Sequence, residues 1–373
     1  MEDVQATSVT PTLSFAVPLI TIVSFVVVDM LFDGLVIVNV GAVVSAPPLQ
    51  DGPRAAVHLY KLLGTHIRIR YETRDQETWI HPSLAHLETA HATPDVTMDV
   101  VSGPQGHNVY RDGTPVYASA ALDQLTPSIK SWVWIIAVNR HGYFLDIHAG
   151  VVSDGTGVTL LPGVAGSGKS SLTAALSRSG FDCLSDEVAL LEEPAMTVRP
   201  VRLALCVKST GWDLIEPYFP ELRSVKTHRR GDGKIVRYVP PPAFTHGTRL
   251  DQTYPVRRII FPRYVPGSQT QLTPIRRVDA LRRLLEDCLA MPVPLTPLRV
   301  EQLATWIKSV DCAELIESSL TEAVALVRAV GQVEVIFTLA FGRYYLREPL
   351  ARSELAGLLT VGVGVVLALA GSF

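Results

Sequence analysis

The run Gly163-Val164-Ala165-Gly166-Ser167-Gly168-Lys169-Ser170 fits G-x-x-x-x-G-K-[ST] at every fixed position, and Ser171 follows it. Glycines at these places let successive backbone N–H groups turn inward and cradle an anion. A helix that starts where the loop ends adds free N–H groups and the positive end of its dipole. Lys169 can then reach the β- and γ-phosphates of a nucleotide, and the Ser170 hydroxyl can ligate Mg2+. A second chemical feature follows at Asp186-Glu187, where adjacent acids stand between two apolar runs. One carboxylate there can hold Mg2+, directly or through water, and the other can act as base toward a hydroxyl. The same pair also suits a turn capped by acids, and the sequence leaves both readings open.

A phosphate loop needs a strand before it and a helix after it. Gly157 to Leu161 reads as the strand. Ser171 to Gly180 reads as the helix, with apolar residues at helical spacing and a glycine stop. Upstream, Tyr143 to Val152 reads as one buried strand that carries His148 and runs into the Asp154-Gly155 turn. Downstream, Thr210 to Pro220 suggests a short helix, and Val278 to Leu289 and Glu301 to Val310 read as helices. Cys312 to Ile316 reads as a strand, and Ser319-Leu320-Thr321-Glu322 is a capping box opening a helix to Val330.

The chain has 373 residues, 47% hydrophobic and 18% charged, with a net charge of -3. That balance offers no basic field for nucleic acid. Cys183, Cys206, Cys288 and Cys312 form no C-x-x-C, so they predict buried thiols in a reducing cytosol, with no zinc cluster or disulfide framework. Leu13 to Val44 is strongly apolar but lacks a basic leader. Asp33-Gly34 between β-branched runs predicts a hairpin over Phe25 to Val44. After Pro47-Pro48 a short helix is expected near Arg54 to Leu63. From Thr65 to Ser119 short strands alternate with polar turns, including the strand His66 to Tyr71 and the turn Arg111 to Pro115. Leu122 to Val138 should contain a helix. His81, His86, His91 and His107 lack metal-ligand spacing and read as surface or hydrogen-bonded histidines.

Taken in order, His148-Ala149-Gly150-Val151, the phosphate loop and Ser185-Asp186-Glu187 resemble the kinase domain of HPr kinase/phosphorylase. The likeness is closer to the HPr-kinase-related proteins found beside peptide-maturation genes. Lys208, the segment Lys226-Thr227-His228-Arg229-Arg230-Gly231-Asp232-Gly233, Pro240-Pro241-Pro242 and Ile259 to Tyr264 are similar to that group's pattern, and the resemblance covers roughly Ala55 to Val330. It implies an α/β (α+β) fold, a P-loop kinase domain of the HPr kinase/phosphoenolpyruvate carboxykinase type on a mixed sheet. It implies ATP and Mg2+ bound by Gly163, Val164, Ala165, Gly166, Ser167, Gly168, Lys169, Ser170 and Ser171, with Ser170 and Asp186 at the metal. Asp186, Glu187 and His148 take the catalytic positions, Glu187 standing where the family has a second Asp. Arg229, Arg230 or Arg263 would stabilise transferred charge or form surface ion pairs. The implied activity is cytoplasmic phosphoryl transfer to a serine of a small protein or peptide, with no claim of phosphorylase activity.

The expected organisation is a β-rich region over 1–135, the kinase domain over 136–331 and a hydrophobic helical hairpin tail over 332–373. The tail resembles the last helix pair of drug/metabolite transporters through its Arg347-Glu348-Pro349-Leu350 turn. Three readings stay open for it: a membrane contact through 333–373, a fusion remnant, or a buried packing helix. Two alternatives to the kinase also stand, a nucleotide-binding regulatory module and a membrane-associated transport component.

Overall fold

The computed structural model describes residues 52–164, 166–285, 289–290 and 296–330. The expected hairpin over Phe25 to Val44, the tail over 332–373, Ala165 and Cys288 lie outside the described residues. The described chain is mixed α/β, with a five-stranded, a ten-stranded and a three-stranded sheet.

The first sheet starts with β1 (Ala56–Leu62) and β2 (Thr65–Tyr71), joined by Leu63-Gly64. Both turn residues have positive φ, 50° and 81°, as the tightest hairpin turn requires. The helix expected near Arg54 to Leu63 is therefore strand β1. Its Ala and Leu content favours helix, but pairing with the alternating strand β2 overrides that propensity. Next comes α1 (Arg74–Leu84), which the strand-and-turn reading of Thr65 to Ser119 did not contain. Its capping box, Thr73 with Gln76, closes the first turn from both directions. This helix carries the chain across to β3 (Val96–Gly103), which lies parallel to β2. β4 (Gly106–Arg111) and β5 (Thr114–Ser119) complete the sheet, with the expected Asp112-Gly113 turn between them. α2 (Leu125–Asn139) leads out of it, its face buried through Leu125, Ile129, Val133 and Ile136.

The ten-stranded sheet positions the phosphate loop. The single strand expected from Tyr143 to Val152 is two, β6 (Leu145–Ile147) and β7 (Ala149–Ser153), broken at His148. β6 pairs with a different neighbour from β7, so the chain bends at the histidine. β8 (Val158–Pro162) runs antiparallel to β7 and delivers the loop to α3 (Lys169–Ser177). β9 (Asp182–Ser185) returns beside β7, and β10 (Ala189–Glu192) pairs with β6, so Asp186-Glu187 sit where the chain changes partner. After β11 (Thr197–Val198), β12 (Leu205–Lys208) and α4 (Trp212–Ile215), a hairpin of β13 (Thr227–Arg229) and β14 (Ile235–Val239) joins β12 in the small sheet. β15 (Tyr254–Tyr264) lies parallel to β8 on one side. β16 (Gln271–Pro274), α5 (Arg277–Arg283), β17 (Leu289–Ala290) and α6 (Pro297–Lys308) follow. β18 (Asp311–Glu317) then lies parallel to β15 on its other side, and α7 spans 320–330.

Successive residues of the central strands enter opposite cores, as strand geometry requires. Val151, Leu160 and Ile259 pack with Leu284, Trp306 and Ile307 on one face. Val152, Leu161 and Ile260 pack with Leu172, Leu176, Val324 and Val327 on the other. Helices thus cover both faces, and the parallel strands β8, β15 and β18 end together at the phosphate loop.

Candidate active site

The loop leaves β8 at Pro162, and its turn is made by Gly166 and Gly168, whose φ values are 87° and 93°. A side chain at either would be strained, so these two positions need glycine. The main chain ties the loop to the adjacent strand, because Tyr264 N–H donates to the Ser167 carbonyl at 3.2 Å. The Ser167 hydroxyl oxygen is buried and has no hydrogen-bond partner among the described residues. Behind the loop, α3 sits close on β7. A Cβ at Gly150 would stand 2.0 Å from Thr173 Oγ1.

A cavity of about 670 Å³ opens over the loop. Gly166 to Ser171 line one wall, and Asp186, Lys208, Asp213, Tyr264 and Glu317 line the rest. That volume suits a nucleotide-sized ligand. Lys169 is buried, and its Nζ lies 2.5 Å from His148 Nε2. His148 Nδ1 lies 2.8 Å from the Glu187 carbonyl oxygen. A carbonyl only accepts, so Nδ1 carries the proton and Nε2 offers its lone pair to the Lys169 ammonium. His148 is therefore a strut between the loop lysine and the acid turn.

The two acids have different surroundings. Asp186 is 3% exposed, faces the cavity, and accepts the Cys206 N–H at 2.9 Å. Burial, followed by the neighbouring Glu187 charge, raises its pKa above the ordinary carboxylate range. Glu187 is paired through Oε2 with Lys130 Nζ at 3.1 Å and is not among the residues lining the cavity. Burial pushes its pKa up, but the Lys130 charge and hydrogen bond outweigh this and hold it below the usual value. Lys130 comes from α2, is 4% exposed, and lies over the Tyr238 ring at 5.4 Å. Burial works against its charge, yet the fields of Glu187 and Asp186 raise its pKa.

Sequence reasoning placed Lys169, Ser170 and Asp186 around one space, and here they line one cavity. Glu187 and His148 stand behind that wall. Of the arginines, Arg230 is buried near Asp232, whereas Arg229 reaches Asp123 and Arg263 reaches Glu314 at the surface. Lys130 and Glu317 did not figure in the sequence reading. For Lys130 the available signal was its place as the lone charged residue of α2. Elsewhere, His58, His81 and Glu88 bring ligand atoms within 4.8 Å of one another. The two rings stack at 4.0 Å and 17°, so their in-plane lone pairs run side by side instead of converging. His58 also spends both nitrogens on Glu77 and Glu88, which makes this a hydrogen-bonded cluster.

Compared with protein-family models and with curated proteins, the chain matches none.

Proposed function

We propose that this chain is an ATP-dependent kinase that phosphorylates a serine of a small protein or peptide through a P-loop site of the HPr kinase/phosphoenolpyruvate carboxykinase type. The observation that supports this reading is the meeting of Lys169, Ser170 and Asp186 on one cavity beside a glycine-formed turn. The donor set fits a Mg2+-nucleotide: an orphaned Ser167 hydroxyl, a lysine at a helix start, a serine hydroxyl and a carboxyl. Ser170 and Asp186 would hold the metal, which supplies charge neutralisation among the phosphates.

Phosphoryl transfer asks chiefly for positioning and charge stabilisation. Lys169 supplies a positive charge at the loop, and His148 fixes its direction. Between the carboxyls, Asp186 faces the cavity, and Glu187, held ionised by Lys130, is the steadier negative charge behind it. A serine hydroxyl attacks the γ-phosphorus, its proton passes to a carboxyl, and ADP leaves.

The test is incubation of purified protein with ATP, Mg2+ and candidate peptides, with phosphoserine read by mass spectrometry. Lys169→Ala is expected to abolish both nucleotide binding and the phosphopeptide, and full activity in that variant would end the proposal. The second reading, a nucleotide-binding module without transfer, draws on the pairing of Lys169 and Glu187 to His148 and Lys130. It predicts nucleotide binding by calorimetry with no phosphopeptide. For a transport component, among the described residues no helix is long and apolar enough to cross a membrane.

A further inference from the structure

Glu317 ends β18 where three parallel strands meet the phosphate loop, and the proposed chemistry leaves it without a task. It is 3% exposed, and its Oε2 has no hydrogen-bond partner among the described residues. Its Oε1 lies 2.2 Å from where a Cβ on Gly168 would stand, so the carboxyl presses directly on the loop. The same side chain lines the cavity with Lys169 and Ser170. An ionised carboxyl in that place would oppose the phosphates that the loop is shaped to collect. A neutral one holds an O–H donor that no described residue receives, and phosphate oxygens are acceptors.

We propose that Glu317 belongs to the phosphate site and admits nucleotide in its neutral form, donating its O–H to a phosphate oxygen. This rests on the nucleotide-binding reading. Burial supports it by raising the Glu317 pKa to about 7. The other charged groups on the cavity are Lys169 on α3, Asp186 after β9, Lys208 on β12 and Asp213 on α4, with Tyr264 on β15. On β18 itself Glu314 is engaged by Arg263 and Arg283, and Glu322 lies in the first turn of α7.

The sign follows from linkage. Below about pH 6 the free protein already carries the proton, so binding takes up none. Above about pH 8 binding must take one up, and affinity falls toward ~tenfold per pH unit. Titration calorimetry with Mg2+-ADP, in buffers of different ionisation enthalpy, reads both quantities. The wild type is expected to lose affinity through neutral pH with uptake approaching one proton. Glu317→Gln is expected to bind as tightly as the acidic wild type and to lose that slope. Identical pH curves for the two proteins would overturn the proposal. So would weaker binding by Glu317→Gln with affinity rising with pH in the wild type, the behaviour of a metal ligand. Should the variant misfold, wild-type proton uptake decides alone, and zero uptake above neutral pH refutes it. Wild type that binds no Mg2+-ADP at any pH removes the nucleotide-binding reading and this inference with it. Binding without proton uptake removes this inference only.

Discussion

Lys130 is the one charged residue of α2, and its ammonium ends at the acid turn. It is a buried cation facing Glu187 and, one residue away, Asp186. Removing one partner of such a pair leaves the other charge uncompensated. Lys130→Met is therefore expected to cost ~1–3 kcal/mol, reduced from a fully buried value because Glu187 keeps 36% of its side chain exposed. Chemical denaturation checks this, and adding Glu187→Gln should restore most of the loss. If the double variant is no better than Lys130→Met, the pair does not account for the effect. At this scale the sequence was informative where a motif has fixed spacing, as from Gly163 to Ser170. It was silent on Lys130, because a contact between residues 57 apart has no local signature. It was silent on Glu317 for a similar reason. A glutamate at a strand end gains meaning only when β18 is laid beside β15.

The packing of α3 on β7 decides where the phosphate loop can lie. Gly150 is the point of closest approach, with Thr173 Oγ1 and Cβ 2.0 Å and 3.2 Å from an added Cβ. Gly150→Ala must push the helix outward or turn the threonine, which already donates to the Lys169 carbonyl at 2.8 Å. The expected cost is ~1–3 kcal/mol in thermal unfolding, with weaker nucleotide binding. Thr173→Ala in the same chain should recover part of it, since the Oγ1 clash disappears while the Cβ contact remains. Elements with strong local signals were legible: the Asp112-Gly113 turn, the strand into the loop, the helix after it. The Arg54 to Leu63 stretch was not, because its composition suits a helix and its partner strand decides otherwise. For α1 the Thr73 and Gln76 cap was a usable signal, obscured by the alternating strands on either side.

At the scale of the whole molecule, Asp146 joins Glu317 as a buried carboxyl that no described residue compensates. Asp146 on β6 is 1% exposed, both of its oxygens lack hydrogen-bond partners among the described residues, and burial raises its pKa to about 8. The folded chain therefore keeps a proton that the unfolded chain releases above its ordinary value of 3.8. Between those pH values stability must fall as pH rises. Asp146→Asn is expected to match the wild type near the acid end and to exceed it by up to ~6 kcal/mol near the alkaline end, the shift taken at its full size. Melting curves across that range test it, and parallel curves would refute it. The first sheet is also bound to the site. α2, at Leu125–Asn139, crosses the expected boundary at residue 135 and carries Lys130 to the acid turn. His86 Nε2 lies 2.7 Å from the Arg202 carbonyl, and Lys226 sits over Trp79 at 4.7 Å. The consequence is evolutionary as well as mechanical. A recombination event that swapped residues 1–135 for another leader would sever α2 and deprive the acid turn of its counter-ion. Any exchange compatible with the site must carry Lys130 with it or lose an acid charge at position 187. The front of this chain is thus tied through Lys130 to the core that carries the acid turn, and a library shuffled at that junction should return survivors compensated at position 187.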